Sequence, residues 1–128
     1  MSPIWVNKAV ALAIHDEQLA EHGGHGGLRD EAVLESRLAR PLNQLACGTP
    51  DIFDLAAAYA CGVGGQSQPF IDGNKRVSAV LTELFLDMNG YTLTADDPAL
   101  VETWLALAAN QMTQDELAQW LRQNAQSH

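Results

Sequence analysis

Within the stretch Gln68-Pro69-Phe70-Ile71-Asp72-Gly73-Asn74-Lys75-Arg76, a carboxylate, a glycine, an amide and two cations follow one another directly. Residues of these types can grip an oxyanion. Asp-Gly-Asn is turn chemistry, and Gly73 can take backbone angles closed to residues with a Cβ, which lets amide N–H groups approach a ligand closely. Lys75 offers a compact charge and Arg76 a planar fork, two different ways of holding phosphate oxygens. A helix starting at Asn74 would add its first unsatisfied N–H groups and the positive end of its dipole. Asp72 would repel a phosphate unless a cation lay between them, and Mg2+ commonly binds through one carboxylate plus substrate phosphates. The same residues serve equally well as an ordinary turn and cap beside solvated cations, and on spacing alone the two readings stand level.

The elements that must hold this stretch are helical. From Asn74, Val77, Val80, Leu81, Leu84, Phe85 and Met88 keep a three-four repeat and Asn89-Gly90 supplies a stop, which predicts the central helix of the domain. Upstream, Thr49 as cap and Pro50 at the first helical position open a helix in which Phe53, Ala56, Tyr59, Ala60 and Val63 share a face. A first helix is expected from about Pro3 to Ala20, followed by the loop His22-Gly23-Gly24-His25-Gly26-Gly27. A short helix capped by Asp30 should end at Pro41, leaving 42–48 irregular. Tyr91-Thr92-Leu93-Thr94 has strand composition but no evident partner. A helix follows Asp96, and Thr113-Gln114-Asp115-Glu116 reads as a capping box for the last one. The expected architecture is an all-α, compact bundle of about six helices around the helix beginning near Asn74, and 1–128 should form one domain.

Composition narrows the function. With 16 acidic against 7 basic residues and a net charge of −9, the surface repels nucleic-acid phosphates, so direct nucleic-acid binding is not expected. No basic leader with an apolar core is present and no apolar run is long enough to span a bilayer, so a soluble cytoplasmic chain without membrane attachment is expected. Cys47 and Cys61 lack any metal-ligand spacing and read as idle thiols. His22 and His25 lie in a Gly-rich stretch that would make a metal site costly to preorganise, and with His15 they belong to the first helix and its loop.

The motif resembles the signature of the Fic/Doc family, His-x-Phe-x-Asp-Gly-Asn, then Gly or Lys, then Arg, matched here by Phe70, Asp72, Gly73, Asn74, Lys75 and Arg76. Gly27-Leu28-Arg29-Asp30, Leu34-Glu35-Ser36, Ala39-Arg40-Pro41, Asp54-Leu55-Ala56-Ala57-Ala58-Tyr59 and Phe85-Leu86-Asp87-Met88-Asn89-Gly90-Tyr91 resemble its death-on-curing (Doc) toxin branch in order and spacing. The resemblance implies ATP or another nucleoside triphosphate as substrate with Mg2+. It implies Asp72 as the metal ligand, Gly73, Asn74, Lys75 and Arg76 around the phosphates, and Gln68, Lys75 and Arg76 at catalytic positions. Phe70 would anchor the loop in the core, and Gly27-Leu28-Arg29-Asp30 would form a flap for the target's backbone. AMP-transferring members usually carry Gly at the position of Lys75 and a second Arg at that of Ala79. The branch implied is therefore Doc, whose members phosphorylate a Ser/Thr hydroxyl of elongation factor Tu, block translation and are restrained by an antitoxin protein.

One position departs from the signature. The family's histidine takes the proton from the attacking hydroxyl, and here that position is Gln68, whose amide has no basic lone pair near neutral pH. Gln68 could orient a nucleophile but not deprotonate it. The expectation is nucleotide binding with crippled transfer, by a toxin whose His codon changed by one base or by a naturally degenerate chain. Two alternatives stand beside it: a non-catalytic module that binds antitoxin or nucleotide, and an AMP-transferring Fic enzyme.

Overall fold

The computed structural model describes residues 2–65 and 68–128. Six helices and one two-stranded ribbon are found among them: α1 Lys8–His22, α2 Glu31–Cys47, α3 Ile52–Gly64, α4 Asn74–Met88, β1 Tyr91–Leu93, α5 Asp97–Ala108, α6 Gln114–Gln123 and β2 Ala125–Ser127. The all-α expectation holds, and α4 has the predicted bounds. The centre, however, is shared. α3 buries nine of its residues, including Leu55, Tyr59 and Val63, and packs against α2, α4, α5 and α6. Its alanines leave room for that many neighbours. From α4, Val77, Leu81 and Phe85 are fully buried against it, while Val80 lies at the edge of the core, 36% exposed.

Four boundaries differ from the sequence reading, and one of them is the end of α1, which runs on to His22 instead of stopping at Ala20, so that the loop starts at Gly23. α1 begins at Lys8, not Pro3, because Asn7 caps it, its side chain accepting from the Val10 N–H at 3.0 Å. The segment before it is held by side chains: the Tyr59 hydroxyl accepts from the Val6 N–H at 3.0 Å and donates to the Val6 carbonyl at 3.2 Å. Asn89 likewise accepts from the Ile4 N–H and donates to its carbonyl.

α2 does not stop at Pro41 but runs through it to Cys47. Proline inside a helix costs about 3 kcal/mol, because it removes one hydrogen bond and crowds the carbonyl four residues back. That carbonyl belongs to Arg37, and α3 presses close to it: a Cβ on Gly62 would lie 3.2 Å from the Arg37 oxygen. Buried Pro41 and this close helix contact offset the cost. α3, in turn, starts from Asp51 rather than Thr49. Asp51 and Asp54 form a reciprocal capping box, with bonds of 2.8 and 2.9 Å.

The partner that Tyr91–Leu93 lacked in the sequence is Ala125–Ser127, paired antiparallel with Tyr91 opposite Ser127. α6 is tied back to the start of α3 by Arg122, which donates to Asp51 at 2.8 Å and to Asp54 at 2.8 Å. Burial works to raise the Asp51 carboxyl, but the Arg122 guanidinium and the Asp54 N–H outweigh it and hold it below its ordinary 3.8. This stabilisation is present in full above 3.8 and is lost as pH falls through the lower folded value. Arg122→Gln should therefore narrow the difference in thermal midpoint between pH 7 and pH 3, a shift readable by circular dichroism.

Candidate active site

Five of the six helices have a side-chain cap at their N-terminus: Asn7, Asp30, Asp51, Asp96 and Thr113. α4 has none. Its cap residue is Gly73, at φ 82° and ψ 11°, a left-handed conformation that favours glycine. The Gly73 N–H is taken by Asp72, but no side chain caps the N–H groups of the turn from Asn74 onward, as an anion site requires. In front of it lies a cavity of about 210 Å3 walled by Gln68, Ile71, Asp72, Gly73, Asn74, Lys75 and Arg76. All the residues singled out by type and spacing are brought together there. Lys75 and Arg76 are exposed.

Next to this cavity, Lys75 and Arg76 also border an apolar cleft of about 320 Å3 between α4 and α5, formed with Ala79, Leu100, Val101, Trp104 and Leu105. Val101 is 59% exposed and Leu105 52% exposed, so a broad apolar surface adjoins the cations. Trp104 is fixed from below, donating its ring N–H to Ser78 at 2.8 Å, while Ser78 donates to the Ala60 carbonyl at 2.8 Å.

The loop keeps its shape through Asn74. Its side-chain carbonyl accepts from the Phe70 N–H at 3.0 Å and its amide donates to the Phe70 carbonyl at 2.9 Å. A longer contact, 3.4 Å, runs from the same amide to Gln68 Oε1. Asn74 is buried, so its side chain is committed to the loop, and what it offers an anion is its place at the start of α4. Phe70 is fully buried, as an anchor should be.

His15 is the residue that sequence reasoning missed. It is buried, stacks on Phe70 with ring centroids 4.0 Å apart, and its Nε2 lies 3.0 Å from the Asp72 carbonyl oxygen. It supports the loop from beneath. The one available signal was its place four residues after Ala11 and next to Ile14, on the buried face of α1.

Asp72 points outward. Its carboxylate accepts from the His25 N–H at 3.3 Å and the Gly73 N–H at 2.8 Å, and these bonds hold it below the usual carboxylate range. It therefore remains ionised at neutral pH. A single exposed carboxylate suits Mg2+, which takes one protein ligand plus phosphate and water oxygens. Among the described residues no group of three or more His, Cys, Asp or Glu side chains could form a closed protein cage.

The glycine-rich loop, irregular as expected, lies against Asp72. A Cβ on Gly24 would fall 2.7 Å from Asp72 Oδ2, and its φ is 119°. Gly24→Ala should cost about 1–3 kcal/mol through this clash and the backbone strain, seen as a lower denaturation midpoint. After that loop, Leu28 forms a single antiparallel bridge with Phe70. The Arg29 N–H donates to the Pro69 carbonyl at 2.8 Å and the Ile71 N–H to the Gly27 carbonyl at 3.2 Å. The segment Gly27-Leu28-Arg29-Asp30 thus borders the motif.

Residues 5–86 match the Fic/DOC family, and the chain belongs to that family. It is similar to the protein kinase doc of Escherichia phage P1, 28% identical over 112 residues that cover 87% of each chain. The family match spans α1 to α3, the motif and most of α4.

Proposed function

We propose that the chain is a Doc-type toxin whose site binds a nucleoside triphosphate with Mg2+ and directs its terminal phosphate to a Ser/Thr hydroxyl of elongation factor Tu, stopping translation. The observation that carries the reading is the uncapped start of α4, with Lys75 and Arg76 beside it and Asp72 ionised at the same cavity. The apolar cleft next to the two cations supports a nucleotide over bare phosphate, since it offers a base a surface to lie on. Similarity to a protein kinase and the pairing of Lys75 with Ala79 support phosphate over adenylate as the transferred group. An antitoxin protein is the expected restraint.

In such a transfer the hydroxyl oxygen forms a bond to the γ-phosphorus, the bond from that phosphorus to the β–γ bridging oxygen breaks, and the nucleoside diphosphate leaves. Backbone N–H groups at the start of α4 and the Arg76 fork would hold the phosphate oxygens, and Lys75 would offset charge on the leaving group. Mg2+, held by Asp72, would neutralise phosphate charge when bound. The hydroxyl proton has no base waiting for it at Gln68, so it must go to water, and transfer is slow.

Incubating Gln68→His with ATP, Mg2+ and elongation factor Tu, and weighing the factor by mass spectrometry, tests the reading. A phosphate increment is expected. An adenylate increment would make this an AMP-transferring enzyme instead, and an unmodified factor would contradict the target. The non-catalytic reading has one observation in its favour: Gln68 is joined to Asn74 as part of the loop.

A further inference from the structure

On a different part of the surface, α2, the end of α3 and the connection between α5 and α6 enclose a cavity of about 250 Å3. It shares no residue with the motif cavity. Its wall includes Arg37, Arg40, Cys61, Asn110, Thr113 and Gln114, and no carboxylate. In a chain with 16 acidic and 7 basic residues, two arginines converging where no acid lines the wall are out of keeping with the rest of the surface. Lys8 and Arg122, by contrast, each join two carboxylates.

The donors here are under-used. Arg37 Nε is buried and has no hydrogen-bond partner, which singles it out among the buried side-chain N and O atoms of the described residues. An unpaired donor on a charged group is costly, and it leaves the Arg37 guanidinium with hydrogen-bonding capacity to spare. Arg40 donates to the neutral Oε1 of Gln114 at 3.2 Å, and Gln114 is itself held by Gln44 at 3.0 Å. Burial pushes the Cys61 thiol up to about 11, against the opposing charge of Arg40, so the thiol is neutral and does not supply the missing anion.

We propose that this cavity is a second binding site, for a small free oxyanion of the phosphate class, gripped by Arg37 and Arg40. Guanidinium groups match tetrahedral oxyanions through paired N–H bonds. The volume takes such an ion with part of its hydration, or a small phosphomonoester. Arg37 and Arg40 are half-buried in the wall, so a free ion small enough to enter the cavity reaches them more readily than an acidic side chain carried on a partner's surface.

The test uses the full chain carrying Lys75→Ala and Arg76→Ala, so that the motif no longer contributes. Inorganic phosphate is titrated at constant ionic strength against chloride while the Arg37 and Arg40 Nε–H signals are followed by NMR. Saturable shifts of both are expected with phosphate and not with chloride. Arg37→Gln should weaken phosphate binding by about tenfold or more, as loss of a charged hydrogen bond does. If that variant fails to fold, Arg37→Lys and Arg40→Gln give the same reading. Shifts that do not saturate, that chloride reproduces, that survive loss of either guanidinium, or that appear only with an acidic peptide would overturn the proposal.

Discussion

Replacing Gln68 with His is expected to raise phosphate transfer by roughly 10²–10⁴-fold, the usual worth of a positioned general base. Gln68 sits in the wall of the motif cavity, beside the residues that the proposed transfer would use. What is missing is a group whose pKa lies near neutrality. An imidazole at this point would accept the hydroxyl proton, so the rate of the variant should rise with pH between about 5.5 and 7.5 as that ring loses its own proton. The rate of the Gln68 chain should lack that rise. Gln68→Ala supplies the control: if the amide only lines the cavity, transfer stays near the Gln68 level. Single-turnover rates on radiolabelled ATP would measure all three, and a histidine variant no faster than the alanine one would remove Gln68 from the account.

The second large effect concerns structure. Asn74→Ala deletes the two hydrogen bonds that satisfy the Phe70 N–H and carbonyl, and Phe70 is completely buried. The bridge to Leu28 does not use those groups: it runs through Arg29 to Pro69 and Ile71 to Gly27. Each buried backbone group left without a partner costs about 1–3 kcal/mol, so the variant should lose about 2–6 kcal/mol of folding stability. That is a large fraction of the total for a domain of this size. Chemical denaturation would show the lower midpoint. Nucleotide affinity should fall in parallel even under conditions where the variant is folded, because the loop that presents Gly73 and the start of α4 is no longer fixed. Equal affinity in a folded Asn74→Ala variant would mean that the loop keeps its shape without the amide.

Both effects centre on residues visible in the sequence, and that visibility has a physical cause. The motif is contiguous, so turn, cap and helix start are decided by neighbours along the chain. α4 could be read because its repeat is unbroken, and α5 and α6 because their caps, Asp96 and Thr113, stand directly before them. The start of α3 is misread although its capping box, Asp51 with Asp54, is local; most of the other misreadings depend on distant partners. Pro41 stays in a helix because Gly62 lets α3 approach, and the segment before α1 is extended because Tyr59 and Asn89 take its hydrogen bonds. Ala125–Ser127 becomes a strand only by pairing with Tyr91–Leu93. Nothing along α1 announces that His15 meets Phe70 and Asp72, which lie more than fifty residues away. Its role follows from how α1 packs.

The uncapped start of α4, with Asp72, Lys75 and Arg76, is proposed to form a site for a metal-bound nucleoside triphosphate that Gln68 leaves intact. Calorimetric titration of the Gln68 chain with a non-hydrolysable ATP analogue and Mg2+ tests it most directly. Saturable one-to-one binding is expected, weakening sharply when Mg2+ is chelated and lost in Arg76→Ala. Absence of binding by the folded chain, or binding indifferent to both Mg2+ and Arg76, would contradict it.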